Sequence, residues 1–212
     1  MENFMSNKRI MIKQISLYTI IFAGFSLTYT QIIPFLTYVG YDPVERGLIL
    51  SAIAVIAIIS QFTVGYLCDK YNTIKKFYNI IIVVFAILNA LMYSVTQYVF
   101  FVHLILVALS GGIFRMISGL IETWTIETNE YIRDRFGSIR AFGAIGWALG
   151  APLTSLVIVR FGYQAIGLSF ALLVALSMLF SLTLPDAKKL AINQDLRVKD
   201  IKILMENPSY SL

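Results

Sequence analysis

Residues 77–114 read FYNIIIVVFAILNALMYSVTQYVFFVHLILVALSGGIF, a run of 38 residues that contains no Asp, Glu, Lys or Arg. A helix needs about 20 consecutive apolar residues to cross the hydrocarbon core of a bilayer, which is about 30 Å thick. This stretch is therefore long enough for two membrane-spanning helices with a short turn between them. Four more stretches lack these charged residues, and each predicts one further helix: 14–41, 47–68, 141–159 and 161–185.

The composition places the chain among membrane proteins. Of its 212 residues, 58% are hydrophobic and 14% are charged, and the mean hydropathy is +0.77. Soluble domains carry about 25% charged residues. The alternative, a soluble protein with buried helices, is disfavoured by five long uncharged stretches in one small chain. We expect an all-α membrane protein with six transmembrane helices, which we call spans 1 to 6: residues 15–38, 47–68, 77–96, 99–126, 137–159 and 162–184.

The basic residues between the spans predict the orientation. Lys and Arg accumulate in the cytoplasmic loops of membrane proteins. The termini and two loops on one side hold thirteen of them: Lys8, Arg9, Lys13, Lys70, Lys75, Lys76, Arg133, Arg135, Lys188, Lys189, Arg197, Lys199 and Lys202. The loops on the other side hold only Arg46 and Arg160. This bias predicts a multi-pass protein of the cell membrane with both termini in the cytoplasm. It also accounts for the net charge of +5 without nucleic-acid binding.

The termini divide the chain into three parts. We expect a cytoplasmic N-terminus at residues 1–14, the membrane domain at 15–184 and a cytoplasmic linker at 185–212. Apolar residues near helical spacing predict an amphipathic helix in the linker: Leu196, Val198, Ile201, Leu204 and Met205. A polar linker that leads to a new hydrophobic start predicts that more chain follows Leu212.

Two of the spans contain charged residues among apolar ones. Span 4 carries a polar stripe at Arg115, Ser118, Glu122 and Thr125, and span 5 carries one at Arg140, Trp147 and Thr154. Ionisable groups deep in a membrane cost several kcal/mol unless they pair or face a wet cavity. The short connection makes the two spans antiparallel neighbours, so Glu122 and Arg140 can approach each other. They form either an ion pair that only fixes packing or part of a solvated binding cavity, and polar stripes on both spans favour the cavity.

Span 5 also combines glycines with an aromatic residue. Gly143, Gly146 and Gly150 leave almost no side-chain bulk, and such spacing lets helix backbones touch. Trp147 lies among them, twelve residues from Val159, which is too deep for an interfacial belt. An indole in a polar cavity is a natural platform for the apolar face of a sugar or another planar ring.

Little in the sequence points to other chemistry. His103, in an apolar run near the outer end of span 4, favours a lipid-facing or packed role over a functional one. Cys68 is the single cysteine, so it makes no internal disulfide and belongs to no metal-ligand motif. We expect no enzyme activity, no metal and no cofactor, because we find no metal cluster, phosphate loop or supported nucleophile–base pair.

The loop after span 2 carries a compact charged pattern. Asp69 ends that span, and a carboxylate at a helix C-terminus is unfavourable to the helix dipole. It requires a partner, such as a neighbouring helix N-terminus or a cation, or it is a solvated group loosely paired with Lys70. Asn72 tolerates the left-handed conformation, which predicts a tight turn.

These residues resemble a known signature. Gly65-x-x-x-Asp69-Lys70-x-Asn72, followed by Lys75 and Lys76, is similar to the cytoplasmic loop of the major facilitator superfamily, although Asn72 replaces the usual glycine and the basic pair lies one residue late. The resemblance implies that this loop gates the cytoplasmic side. It also implies two inverted three-helix repeats, to which the similar exits Lys70-Tyr71-Asn72 and Arg160-Phe161-Gly162, on opposite sides of the membrane, add support.

A second resemblance is narrower. Glu122, the eighteen-residue step to Arg140 and the stretch FGSIRAFGAIGWAL resemble the oligosaccharide–proton symporters. In that family the glutamate and arginine bind sugar hydroxyls and the tryptophan stacks on the sugar ring, which implies these roles for Glu122, Arg140 and Trp147. Pro34 and Asp186 also fit the pattern.

Resemblance to this family implies that the chain is the N-terminal half of a twelve-helix transporter. The C-terminal six-helix half, which this chain would lack, would carry the main proton-coupling residues. The implied function is proton symport of a small polar solute, a sugar or oligosaccharide, with the proton as coupling ion. The polar stripe of span 4 adds Ser118 and Arg115 to the predicted substrate-binding residues, and we expect Arg115 to face the same cavity from one end. Arg115 is outside the sugar signature and leaves the substrate open to nucleosides or aromatic carboxylates. A non-transporting membrane sensor or assembly partner is the alternative from another class.

Overall fold

The computed structural model describes residues 2–187, and within them it contains helices and no strands. The helices are α1 (Glu2–Tyr29), α2 (Ile32–Val39), α3 (Pro43–Tyr71), α4 (Lys75–Ser94), α5 (Phe100–Ile126), α6 (Glu130–Arg133), α7 (Phe136–Phe161) and α8 (Ala165–Ser181). Each predicted span has its helix, and the all-α membrane fold is confirmed. The amphipathic helix predicted in the linker lies outside the described residues.

Five segments of this fold are long and apolar enough to cross a membrane. They are Ser6–Val39, Pro43–Tyr71, Lys75–Ser94, Phe100–Ile126 and Phe136–Phe161. The sixth, Ala165–Ser181, is equally apolar but has only 17 residues, fewer than the 23 that we expected for span 6. The helix begins later than predicted because Gly162 ends α7 with φ +76°. It ends earlier than predicted because turns follow at Leu182 and Thr183.

Span 1 differs most from its predicted form. The helix begins at Glu2 rather than at residue 15, so the charged N-terminal residues continue α1. It then breaks at Thr30 and Gln31, and α2 begins at Ile32. Pro34 lies in the first turn of α2, where the missing N–H of proline has no intrahelical partner to lose.

The predicted loop between spans 4 and 5 also contains the one-turn helix α6, which the Asn129 side chain caps by accepting the Ile132 N–H at 2.9 Å.

The helices pack in neighbouring pairs. Helix α1 contacts α7 and α8, α3 packs on α5, and α4 packs on both α5 and α8. Aromatic rings fill the centre, where Phe25 contacts the rings of Phe85, Phe114 and Phe170. Helices α3 and α7 keep large apolar side chains exposed along most of their length. Such faces are suited to lipid or to other membrane helices.

Asp186 joins the N-terminal end of α4 to the C-terminal end of α8. Its Oδ1 accepts the backbone N–H groups of Ile74 at 3.1 Å and Lys75 at 2.9 Å, and its Oδ2 accepts the Thr73 hydroxyl. Burial raises the pKa of the Asp186 carboxyl, but these hydrogen bonds and one from the Ala187 N–H outweigh that effect, and the pKa lies below its usual value. A carboxylate at the N-terminus of α4 also complements the helix dipole.

His103 joins two loops at the opposite end of the helices. This side chain is fully buried, and its ring nitrogens lie 2.8 Å from the Tyr41 hydroxyl and 2.9 Å from the Val95 carbonyl. The histidine therefore links the loop before α3 to the loop before α5. Of the two roles expected from the sequence, the packed role is correct and the lipid-facing role is wrong.

Candidate functional site

Glu122 and Arg140 form an ion pair between α5 and α7. The Arg140 Nε lies 3.1 Å from the Glu122 Oε1, and the two side chains are 60% and 30% exposed, respectively. The sequence predicted this approach. At this exposure both groups are accessible to a ligand.

The ion pair lies at the edge of a cavity of about 440 Å³. Its lining comes from α1, α5 and α7: Phe22, Glu122, Gly137, Arg140, Ala141, Ala144 and Trp147. Small residues at 137, 141 and 144 follow the i, i+4, i+7 spacing of one helix face. The cavity therefore exists partly because α7 presents almost no side-chain bulk beside Arg140. That spacing was readable in the sequence, but our prediction did not use it.

Two aromatic residues, Phe22 and Trp147, line this cavity, and further rings pack behind Trp147. The Trp147 and Phe114 ring centroids are 6.2 Å apart, and Phe114 stacks on Tyr29 at 4.2 Å. Trp147 is half-buried, with its indole at the cavity lining. The indole is therefore next to the Glu122–Arg140 pair at one cavity, and its stacking on a ligand stays a prediction.

Tyr18 fixes the helical turn that carries Glu122. Its hydroxyl donates to the Ile121 carbonyl at 3.3 Å and lies 3.1 Å from the Thr125 Oγ1. Its ring stacks on Phe22, with centroids 5.5 Å apart and an angle of 8° between the planes. Tyr18 is fully buried. Nothing in the sequence distinguishes Tyr18 or Phe22 from other aromatic residues of span 1, and our prediction missed both.

The glycines of α7 bring that helix against α1. A Cβ added at Gly146 would overlap the Thr19 carbonyl, and one added at Gly150 would overlap the Ala23 carbonyl. At Gly143 the added atom would lie 3.2 Å from the Tyr18 ring. All three glycines are buried. This close approach sets the position of α7, and with it the positions of Arg140 and Trp147 relative to α1.

The other two residues predicted at the binding site lie apart from the cavity lining. Arg115 is exposed on α5, and Ser118 is half-buried, with its hydroxyl donating to the Phe114 carbonyl at 2.9 Å. Neither lines the 440 Å³ cavity. Arg115 precedes Glu122 by seven residues, so the two share a helix face about 10 Å apart along the axis.

The predicted gating loop contributes to a second cavity, of about 240 Å³, between α3 and α5. Gly65, Asp69 and Glu127 are among its lining residues. Asn72 adopts φ 50° and ψ 40° and caps α3, as we expected. Its N–H donates to the Asp69 carbonyl at 3.4 Å, and the Thr73 N–H donates to the Cys68 carbonyl at 3.3 Å.

The basic residues of this loop have different neighbours. The Lys70 Nζ lies 5.9 Å from the Tyr66 ring centre and 5.7 Å from that of Tyr71. The Lys75 Nζ donates to the Leu182 and Leu184 carbonyls at 2.8 and 2.7 Å, and Lys76 is exposed. Across residues 2–187, no group of three or more His, Cys, Asp or Glu side chains is arranged to hold a metal ion.

The chain is similar to known proteins over most of its length. The MFS_1 like family matches residues 11–208 of the chain. The chain is also similar to the lactose permease of Klebsiella oxytoca, with 27% identity over 118 residues. That alignment covers 53% of this chain and 28% of the permease, so the matched part is well under half of the relative.

Proposed function

This chain belongs to the MFS_1 like family of the major facilitator superfamily, a group of multi-pass membrane transporters, and on that basis we propose that it forms the N-terminal half of a proton-coupled sugar symporter. The solute would be a sugar or oligosaccharide, bound between this half and a second six-helix half. Transport would proceed by alternating access, in which the two halves rock around a site near the middle of the bilayer.

The accessible ion pair at the cavity is the observation that carries the proposal. The Glu122 carboxylate accepts hydrogen bonds and the Arg140 guanidinium donates them, so together they match the hydroxyl groups of a sugar, which do both. The two charges also compensate each other across 3.1 Å, which limits the cost of holding them in the membrane. A solute that inserts here replaces part of that mutual contact rather than meeting a bare charge.

Trp147 supplies the complementary apolar contact. A pyranose ring has one face of C–H groups, and an indole face favours it. Because Trp147 and Arg140 both lie on α7, and Gly146 holds α7 against α1, the stacking surface and the polar groups keep a fixed spacing. Positioning by a rigid helix rather than by a loop favours a specific site.

The gate would lie at the cytoplasmic end of α3. Asp69 is exposed there, next to the 240 Å³ cavity, and Lys70 and Lys76 are exposed beside it. In the proposal these charges contact the second half when the cytoplasmic side is closed. The proton is the coupling ion, and the groups that carry it belong mainly to that second half.

The test uses the gene product that carries this chain and 4-nitrophenyl β-D-galactopyranoside as the probe. A charged hydrogen bond contributes about 1.5–3 kcal/mol, and about 1.4 kcal/mol is a tenfold change in affinity. Glu122→Gln keeps the shape and removes the charge, and we expect it to weaken binding about ten- to a hundredfold. Arg140→Lys keeps the charge and removes the planar fork, and we expect a comparable loss. Glu130→Gln, an exposed glutamate beyond α5, is the matched control and should bind as the wild type does.

The charge-swapped variant separates ligand binding from packing. If Glu122 and Arg140 only hold α5 to α7, Glu122→Arg combined with Arg140→Glu should recover both thermal stability and probe accumulation in proteoliposomes under an inward proton gradient. We expect the swapped protein to fold but neither to bind nor to accumulate the probe. Full transport by the swapped protein would exclude both residues from the binding site.

A further inference from the structure

Arg115 is a charge in a membrane span that the proposed sugar site leaves unused. It lies fifteen residues beyond the start of α5 at Phe100 and eleven before its end at Ile126, so it is near the middle of the bilayer. Its side chain is exposed, and within residues 2–187 no carboxylate forms an ion pair with it. A cation at this depth is costly unless a wet cavity or an anion compensates it.

Two contacts fix the depth of Arg115 relative to the cavity. The Glu122–Arg140 ion pair marks one level of the α5–α7 contact. The Phe114–Trp147 contact, with ring centroids 6.2 Å apart, marks a second level. Because α5 and α7 run in opposite directions, seven residues back along α5 and seven residues forward along α7 lead to the same level, about 10 Å from the ion pair.

Arg115 therefore lies at the depth of Trp147. Seven residues correspond to two helical turns, so its side chain leaves α5 on the same face as Glu122. A solute ring that stacks on Trp147 would have the Glu122–Arg140 pair, whose charges compensate each other, beyond one of its ends. The Arg115 guanidinium would lie at the level of the ring, on the side of α5.

We infer that Arg115 binds an anionic group of the transported solute, which makes the substrate a ring compound that carries a carboxylate, such as a uronic acid glycoside. This inference rests on the proposed function. Glu122 and Arg140 compensate each other, so a neutral sugar would leave Arg115 without an anion, whereas a carboxylate provides one. The guanidinium fork binds carboxylates through two parallel hydrogen bonds, which fixes the orientation of the ring as well as its charge.

The test compares two probes that differ in one group. 4-Nitrophenyl β-D-galactopyranoside has a CH₂OH group at C6, and 4-nitrophenyl β-D-galactopyranosiduronic acid has a carboxylate there. The same comparison is repeated with the glucose-configured pair. Equilibrium binding is measured by calorimetry at pH 7 on the solubilised gene product that carries this chain, and a melting curve accompanies each variant.

In at least one of the two probe pairs, we expect the wild type to bind the uronic acid at least about tenfold more tightly than the neutral glycoside. One charged hydrogen-bonded contact predicts a difference of this size. Arg115→Gln should abolish that preference and leave affinity for the neutral glycoside within about twofold. Arg115→Lys should keep part of the preference. Arg160→Gln, which removes the same charge from an exposed site at the end of α7, should keep all of it.

Several results would overturn the inference. Equal binding of the paired probes by the wild type, or a preference that survives in Arg115→Gln, would show that Arg115 selects no anion. A lower melting temperature in both Arg115 variants, with the preference unchanged, would indicate that Arg115 pairs with a protein carboxylate instead. Glycoside binding that depends on Glu122 but shows no uronic acid preference would retain the proposed sugar site and reject this inference, while saturable binding of none of the four probes would reject both.

Discussion

Asp186→Asn tests how the N-terminal end of α4 and the C-terminal end of α8 are held together. The Asp186 Oδ1 accepts three backbone N–H groups, those of Ile74, Lys75 and Ala187, at 3.1, 2.9 and 2.8 Å. Asparagine can keep these contacts through its carbonyl oxygen. The substitution therefore removes the negative charge and the acceptor for the Thr73 hydroxyl while it keeps the shape of the side chain.

The expected magnitude follows from these contacts. A hydrogen bond to a charged group contributes about 1.5–3 kcal/mol and a neutral one about 0.5–1.5 kcal/mol. The lost interaction with the helix dipole adds about 0.3–1 kcal/mol. Because the three bonds share one oxygen and the side chain is only half-buried, the losses do not add fully, and we expect about 1–2 kcal/mol in total. At about 2–4 °C per kcal/mol for a chain of this size, the melting temperature should fall by roughly 2–8 °C.

The effect of Asp186→Asn on stability should depend on pH, and the lowered pKa of Asp186 sets the direction of that dependence. The folded pKa of Asp186 is lowered, whereas an unperturbed aspartate has a pKa of about 3.9. The ionised carboxylate therefore stabilises the fold above that value, and the stabilisation is lost as the pH falls through the folded pKa. The difference in melting temperature between the wild type and Asp186→Asn should be full at pH 7 and smaller at pH 3.

The assay is thermal unfolding in detergent, with Asp134→Asn as the matched control. Asp134 is an exposed carboxylate after α6, and its loss should change stability by less than about 0.5 kcal/mol. An effect of Asp186→Asn no larger than that of the control would refute the reasoning. So would a difference that is the same at pH 3 and pH 7.

Two further predictions concern the helix contact and the gate. Gly146→Ala should cost about 1–3 kcal/mol in thermal stability, because the added methyl meets the Thr19 carbonyl. Gly47→Ala, which meets nothing within 4 Å, should be neutral or stabilising, and equal effects of the two variants would contradict the close approach of α1 and α7. Asp69→Asn should lower the transport rate more than the equilibrium affinity for the solute, since Asp69 lies at the end of α3 and not at the cavity beside Glu122; a large loss of affinity with normal turnover per bound solute would argue against a gating role.

Hydropathy predicted the membrane fold because lipid imposes a simple constraint. A span must be apolar over about 20 residues and must satisfy its backbone internally, which leaves a helix as the solution for this chain. The same signal is insensitive to breaks inside an apolar run. Thr30 and Gln31 interrupt span 1 without adding a charge, so the boundary between α1 and α2 was invisible. The charged residues before residue 15 likewise end the apolar run but not the helix.

The polar part of the candidate site was predictable for a related reason. Glu122 and Arg140 stand out because charges within spans are costly, and their approach followed from the short connection between two antiparallel helices. Phe22 and Tyr18 carry no such signal, since one aromatic residue among many on α1 becomes part of a wall only when a particular partner packs against it. Their role depends on Gly143, which lets α7 approach both rings.

The basic residues of the predicted gating loop have different contacts, which the sequence motif does not reveal. The pattern grouped Lys70, Lys75 and Lys76 as one charged unit. The structure divides them, because the Lys75 Nζ donates to the Leu182 and Leu184 carbonyls at the end of α8 while Asp186 takes the backbone N–H of the same lysine. Lys75 is thus committed to closing the α4–α8 end within this half. We therefore expect any contact with a second half to be made by the exposed residues Asp69, Lys70 and Lys76. Of the three lysines of this loop, Lys75 is the one whose substitution should lower stability more than it alters gating.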